Sequence, residues 1–259
     1  MRPVPLALSL LVFAASAALA QSSGGKARQP PAPPPAKPYN PVAIKLPTPM
    51  NDADFEAFRK QVADAAQRKD RAALAKLVTA QGFFWETAKG DKAAKNKPGI
   101  DNLSAAMKLG AKQGFGWEML AGYAGDPTAE PNPQRQGVLC APADPTFDGK
   151  AFEQLAKDTG TDPAEWGYLT SEGVEAKASA QPNAATVEKL GLYFVRVLPP
   201  DGPPPAGQNE LPPMKIVTPS GKTAFVRGDA IAPIGNDQIC YVKDASGWKV
   251  TGFIGGDTP

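Results

Sequence analysis

Two short stretches place a carboxylate beside aromatic faces, Phe83-Phe84-Trp85-Glu86 and Phe115-Gly116-Trp117-Glu118, the second followed by Tyr123. Trp faces stack on sugar rings or peptide side chains, and a neighbouring carboxylate accepts their hydroxyl or amine hydrogens. Glu86 and Glu118 could also form an acid pair for glycoside hydrolysis, one carboxyl protonated and the other acting as base or nucleophile. Chain spacing sets no distance between them, and a small domain needs large apolar side chains inside, so the residue types favour a core role for these rings.

The chain has no histidine. That removes Ser-His-Asp and Cys-His arrangements, the H-E-x-x-H zinc site and every imidazole acid or base. Ser104 and Lys108 are four apart, on one face if that segment is helical, where a neutral Lys could activate the hydroxyl; the three-residue spacing of the Ser-x-x-Lys enzymes is missed, and a solvated face is the simpler account. The run from Leu109 to Gly116 has the small residues of a phosphate loop but not its Gly-Lys-Ser/Thr order, and helix termination at Gly110 explains it without a ligand. Clustered cysteines and a calcium-loop pattern are both absent, so no metal and no cofactor are expected. With 28 basic and 26 acidic residues the net charge is +2, which gives no attraction to nucleic acid.

The elements that would position these residues begin after an address. Arg2, the apolar run Leu6 to Ala15, and Ala18-Leu19-Ala20 before Gln21 match a cleavable secretory signal over residues 1–20, so the expected location is periplasmic or secreted. The run is shorter than the roughly 20 residues that span a bilayer, and no stable membrane insertion is expected after cleavage. In an oxidising compartment the only two cysteines, Cys140 and Cys240, are expected to pair as a structural disulfide. Residues 21–49 read as a proline-rich tether, with nine prolines between Pro30 and Pro49. Such a segment is extended, and it is either a spacer or a ligand for a proline-binding domain, the spacer being the simpler reading.

Residues 50–163 carry the helical period. Phe55, Phe58, Val62 and Ala65/Ala66 follow the cap Asp52; Leu74, Leu77 and Val78 follow Asp70. Further segments start at Asp101 or Asn102, run from Trp117 to Tyr123, and follow the cap Asp148 from Gly149 to Lys157. From 164 to 256 the pattern changes to short β-type runs, at Val174 to Ala178, Tyr193 to Leu198, Lys215 to Thr218, Thr223 to Val226, Ile239 to Lys243 and Trp248 to Ile254. Turns at Ser220-Gly221 and Ala245-Ser246-Gly247 predict antiparallel pairing, and Trp248, Phe225, Val195 and Val197 are the predicted core of this half. The expected class is α+β, a mainly helical domain followed by a small β-barrel.

Gly173-Val174-x-Ala176-x-Ala178 with Pro182, Val187-Glu188-Lys189-Leu190, Val195-Arg196-Val197-Leu198 and Ser220-Gly221-Lys222-x-x-Phe225-Val226 resemble, in that order, a bacterial Src-homology-3-like (SH3-like) domain. The resemblance covers roughly residues 166–234, with the hairpin from Gln238 to Gly256 as an addition. Met214 stands where the family usually has an aromatic residue, and Ala224 where it usually has glycine. The resemblance implies a small barrel, and a non-catalytic binding or scaffolding role in the bacterial cell envelope, toward a cell-wall peptide or glycan or an envelope protein. Its loops make Tyr193, Asp201 in the proline-rich connection and Lys222 the candidate ligand contacts. The competing reading is a carboxylate-dependent hydrolase of cell-wall glycan.

Overall fold

In a computed structural model, the structure describes residues 36–256 except Gln113, Asp201 and 203–210; these belong to one compact unit. The expected signal at 1–20, the first part of the tether and Asp201 lie outside the described residues. The described residues form five α-helices: α1 (Ala53–Gln67), α2 (Arg71–Leu77), α3 (Gly99–Ala106), α4 (Phe115–Gly125) and α5 (Gly149–Thr159). Three start where a side chain satisfies first-turn amides. Asp52 accepts from Phe55 N, Asp70 from Ala73 N, and Asp148 from Lys150 N and Ala151 N.

α3 starts earlier than the sequence suggested, after Pro98, because the Asn102 side chain is used elsewhere. It accepts from Ala94 N at 2.8 Å and donates to Ala94 O at 3.1 Å, holding the preceding loop. The helix also ends earlier. Lys108, at φ 52°, takes the left-handed position expected near Gly110, and the Leu109 and Lys108 amides return to Ser104 O and Ala105 O. Lys108 is therefore past the helix and off the face of Ser104, whose hydroxyl donates to Ile100 O at 2.6 Å.

The strands are β1 (Ile44–Lys45), β2 (Phe84–Thr87), β3 (Gly90–Asp91), β4 (Glu130–Pro131), β5 (Val138–Ala141), β6 (Thr146–Phe147), β7 (Trp166–Leu169), β8 (Val174–Lys177), β9 (Thr186–Leu190), β10 (Phe194–Val197), β11 (Met214–Val217), β12 (Thr223–Val226), β13 (Ile231–Pro233), β14 (Gln238–Asp244) and β15 (Gly247–Ile254). The class is mixed α and β. A seven-stranded sheet has the order β13-β7-β10-β11-β12-β8-β9, a six-stranded sheet the order β3-β2-β15-β14-β5-β4, and β1 pairs with β6. None of these sheets closes into a barrel.

The sheet orders redistribute the β-rich half. The β14–β15 hairpin pairs with β5 on one side and, in parallel, with β2 on the other, so it joins the sheet beneath the helices and not the seven-stranded one. Phe55, Val62, Leu74, Leu103 and Leu120 from the helices share a core with Ile239, Tyr241, Val250 and Phe253 from the hairpin. Glycine permits the close approach of β15 to β2: a Cβ on Gly252 would overlap the Phe84 ring. Trp248 packs against this core. Of the other predicted core residues, Val195 is fully buried and Val197 half-buried in the core of the seven-stranded sheet. Phe225 is half-buried and outside that cluster, because the alternation of β12 turns Ala224 and Val226 inward.

Residues 36–49 are extended, as their prolines require, yet they are bound along their length. Tyr39 N donates to Pro219 O, Ile44 N to Leu192 O, and Phe194 N to Val42 O. Tyr39 Oη donates to Val217 O at 2.9 Å. Val42 and Ile44 are buried with Phe152, Leu155, Trp166, Tyr168 and Phe194 in a third core, where this strap joins α5 to β7 and β10.

Candidate functional site

The aromatic segments divide between core and surface. Phe83, Phe84 and Trp117 are buried, Trp85 is half-buried and donates Nε1 to Gly255 O at 3.0 Å, and Phe115 is 65% exposed. Glu86, on β2, lies 3.6 Å from Arg135 Nη2, and the Arg135 guanidinium stacks 3.9 Å from the centre of the Phe84 ring. Glu118 is exposed on the first turn of α4. Among the described residues no ion pair, hydrogen bond or pocket joins the two carboxylates, and the guanidinium already occupies the space beside Glu86.

Cys140 and Cys240 are bonded to each other. They are directly opposite on β5 and β14, with Cα atoms 4.0 Å apart, and both are buried with Phe84 and Val138. The described residues include no group of acids and cysteines able to hold a metal ion.

Tyr193 and Lys222 are not brought together into a pocket. Tyr193 precedes β10, half-buried, and bridges to Ala43 of the strap; burial is the main cause that raises its phenol pKa. Lys222 is exposed in the turn between β11 and β12, where its carbonyl accepts from Thr218 N. In that same turn a Cβ on Gly221, whose φ is +80°, would sit 2.6 Å from Ala36 O. Both candidate positions therefore border the proline-rich strap, which covers this side of the sheet.

A groove lies where the strap passes α5. It has a volume of about 900 Å³, within the range of small-ligand and peptide sites. Tyr39 and Trp166 meet edge to face at its base, ring centres 5.1 Å apart, and Trp166 Nε1 donates to Thr161 Oγ1 at 2.7 Å. Burial raises the Tyr39 pKa, so its hydroxyl stays protonated and held by Val217 O. Gln154 and Asp158 from α5, with its cap Asp148, line one wall; Gln154 Nε2 donates to Asp158 Oδ1 at 2.6 Å. Lys37 and Arg196 bring positive charge to the lining. Arg196 is set in place by Glu165 Oε2, which accepts from both its Nε, at 2.9 Å, and its Nη2, at 2.7 Å. Glu165 in turn accepts from Asp162 N, and this amide, followed by Arg196, holds its carboxyl below the usual range. A groove with an aromatic base, acids on one wall and a fixed guanidinium suits an extended ligand that carries both charges.

A second pocket, of about 340 Å³, is lined by Tyr123, Asp126, Tyr168, Asn236 and Asp237 among others. Asn236 Nδ2 donates to Tyr168 Oη at 3.1 Å. Burial, and secondarily Asp237, pushes the Tyr123 phenol up to about 12. Burial also raises the pKa of Asp144, against the opposing pull of the Asn236 amide.

The groove residues Tyr39, Gln154, Asp158, Trp166 and Arg196 are spread over about 160 positions, and no local sequence pattern joins them. The one local signal was Tyr39, a large aromatic set between Pro38 and Pro41 in a segment otherwise free of rings. The chain matched no protein-family model, no curated protein and no solved structure in the three comparisons made.

Proposed function

We propose that this chain is an exported, non-catalytic binding protein of the bacterial cell envelope, and that it holds an extended peptide, from the cell wall or from an envelope protein, in the groove between the strap and α5. The observation that carries this reading is the groove itself: about 900 Å³, open, with the Tyr39–Trp166 base, the Asp148 and Asp158 wall and the Arg196 guanidinium held by Glu165. Cross-linked wall peptides carry free amino and carboxyl groups on small side chains, which this distribution of charge would receive. Export is supported by the secretory pattern of residues 1–20 and by the Cys140–Cys240 bond, which suits an oxidising compartment. No helix among the described residues is long and apolar enough to cross a membrane. The SH3-like reading of residues 166–234 belongs to the same proposal. It rests on the order of motifs from Gly173 to Val226 and on the antiparallel pairing of β8 to β12.

Sedimentation of the mature protein with purified peptidoglycan, with parallel assay of released muropeptides, tests it. The expected result is retention without release, lost in Gln154→Trp, which fills the groove from an exposed position and leaves the melting temperature unchanged. Retention unaffected by Gln154→Trp would remove the groove from the reading. Release of muropeptides that Glu86→Gln or Glu118→Gln abolishes would replace it with the glycan hydrolase.

A further inference from the structure

The outward face of α4 exposes large apolar side chains. Glu118 is its one charged side chain, and Phe115 and Met119, one turn apart, are 65% and 41% exposed. A helix that is apolar on every side is normally enclosed on every side. α4 packs on α1 and β14, with Trp117 and Leu120 in the core, and a Cβ on Gly116 would overlap the carbonyl of Met107, the residue that follows α3.

Cations gather at the same end. A Cβ on Gly114, the residue before α4, would lie 2.8 Å from Lys69 Nζ. Lys108 follows directly on Met107, whose carbonyl abuts Gly116, and Lys112 is in the turn that Gly114 N closes onto Ala111 O. All three lysines are exposed, and none forms an ion pair with a described residue. Lys69 and Lys108 both hold left-handed backbone conformations, φ 54° and 52°, that end α1 and α3 beside the start of α4. The Gly114 N-cap supplies no side-chain acceptor to the first-turn amides, so the positive end of the helix adds to the positive rim.

We propose that this end of α4 docks on an anionic phospholipid surface, with Phe115 and Met119 entering the headgroup boundary and Lys69, Lys108 and Lys112 meeting the lipid phosphates. Charge complementarity selects this occupant, and so does size. At 65% and 41% exposure the two side chains offer on the order of 200 Å² of apolar surface, whereas a stable protein interface takes about 800 Å² from each partner. A bilayer boundary needs no matching shape, and apolar anchors with a basic rim are the pattern of helices that lie in it. Glu118, exposed within the patch, is the one opposing charge on the helix. The surface involves none of the groove residues, so it stands apart from the peptide-binding reading.

The test is co-sedimentation of the mature protein with vesicles of phosphatidylcholine containing phosphatidylglycerol, against vesicles of phosphatidylcholine alone. Binding is expected only to the anionic vesicles, and it is expected to fall away in 1 M salt, where the screening length is about 3 Å. Phe115→Ser with Met119→Ser should weaken binding about tenfold with the melting temperature unchanged, because both positions are exposed. Lys108→Gln with Lys112→Gln should weaken it at least as much, and Glu118→Gln should strengthen it. Phe115→Trp adds a direct readout, quenching by brominated lipid beyond that of the native tryptophans. Equal binding to both vesicles, no binding, or anionic binding that survives the Phe115 and Met119 substitutions would each overturn the proposal. A concentration-dependent dimer abolished by Phe115→Ser, without vesicle binding, would assign the face to a second copy of the chain instead.

Discussion

Trp248, in the last strand, packs its ring 4.6 Å from the ring of Phe55, in the first helix. Phe55 also meets Tyr241 edge to face at 5.0 Å, so the opening helix and closing hairpin share one aromatic cluster. Phe55 is fully buried, and Phe55→Ala is expected to cost about 3 to 5 kcal/mol; Trp248→Ala, at a half-buried site, costs less. In a double-mutant cycle the two changes should show a coupling of about 0.5 to 1.5 kcal/mol. Denaturant titrations of the four proteins measure this, and strict additivity would reject a direct contact between the rings.

This pair also marks where the sequence stopped being legible. Helices α1, α2 and α5 could be read because Asp52, Asp70 and Asp148 are local signals that precede a local period. The β-type runs matching β8, β10, β11, β12, β14 and β15 were legible from local pattern too, whereas β9 and β13 were not. What was not legible is which strands pair: β14 and β15 close the β-rich half in sequence, but their partners are β5 and β2, about 100 and 170 residues earlier. Those partners and their neighbours span only two to four residues each, too short to show a period of two, so a stretch read as helical contains five strands. The prolines of the strap signal a spacer, although its fixing points are the residues between them, Tyr39, Val42 and Ile44. The site suffered most, because the groove takes its lining from residues 36 to 43, from α5, and from Trp166, Arg196 and Val217. By contrast, the Cys140–Cys240 bond was legible, since parity and compartment need no geometry.

That bond closes a loop with a sequence separation of 100 residues. Loop-closure entropy alone gives about 4.7 kcal/mol, and measured bridges more often give 2 to 4. Replacing both cysteines by serine should lower stability by about that smaller amount and leave the secondary structure in place, since β5 and β14 keep their backbone ladder. Thiol titration of the denatured, unreduced protein should find no free thiol. Two reactive thiols per chain would refute the bond in the isolated protein.

Two carboxylates give stability opposite pH dependences. The Glu165 carboxyl is held low by the Asp162 amide first and by Arg196 second. Its contribution is complete above the unfolded value of about 4.3 and is lost as pH falls through the lower folded value. Asp144 is raised by burial, so the folded state favours its protonated form. The stability it lends is present below the unfolded value of about 3.9 and is lost as pH rises through the folded one. Glu165→Gln should therefore destabilise at neutral pH and converge with the parent protein in acid, whereas Asp144→Asn should gain on the parent as pH rises. Melting curves from pH 3 to pH 7 separate the two; parallel curves for either variant would remove that residue from the account.

The strap supplies the sharpest test of how the groove is built, because one residue fastens its first part in two ways. Tyr39 donates its hydroxyl to Val217 O and sets its ring against Trp166. Tyr39→Phe removes only the hydrogen bond and leaves the Val217 carbonyl to other partners, an expected loss of about 1 kcal/mol. Tyr39→Ala removes the ring as well, about 3 kcal/mol in all. That loss should fall on the strap and not on the whole fold, since the seven-stranded sheet keeps its own ladder. Hydrogen exchange distinguishes these outcomes. In Tyr39→Ala the Tyr39 and Ile44 amides, bonded to Pro219 O and Leu192 O across the strap's edge, should lose about a hundredfold in protection. The β11–β12 amides should keep theirs. Equal loss in both places would mean that the strap unfolds only with the entire unit, and that the groove beneath it is a fixed wall of the protein.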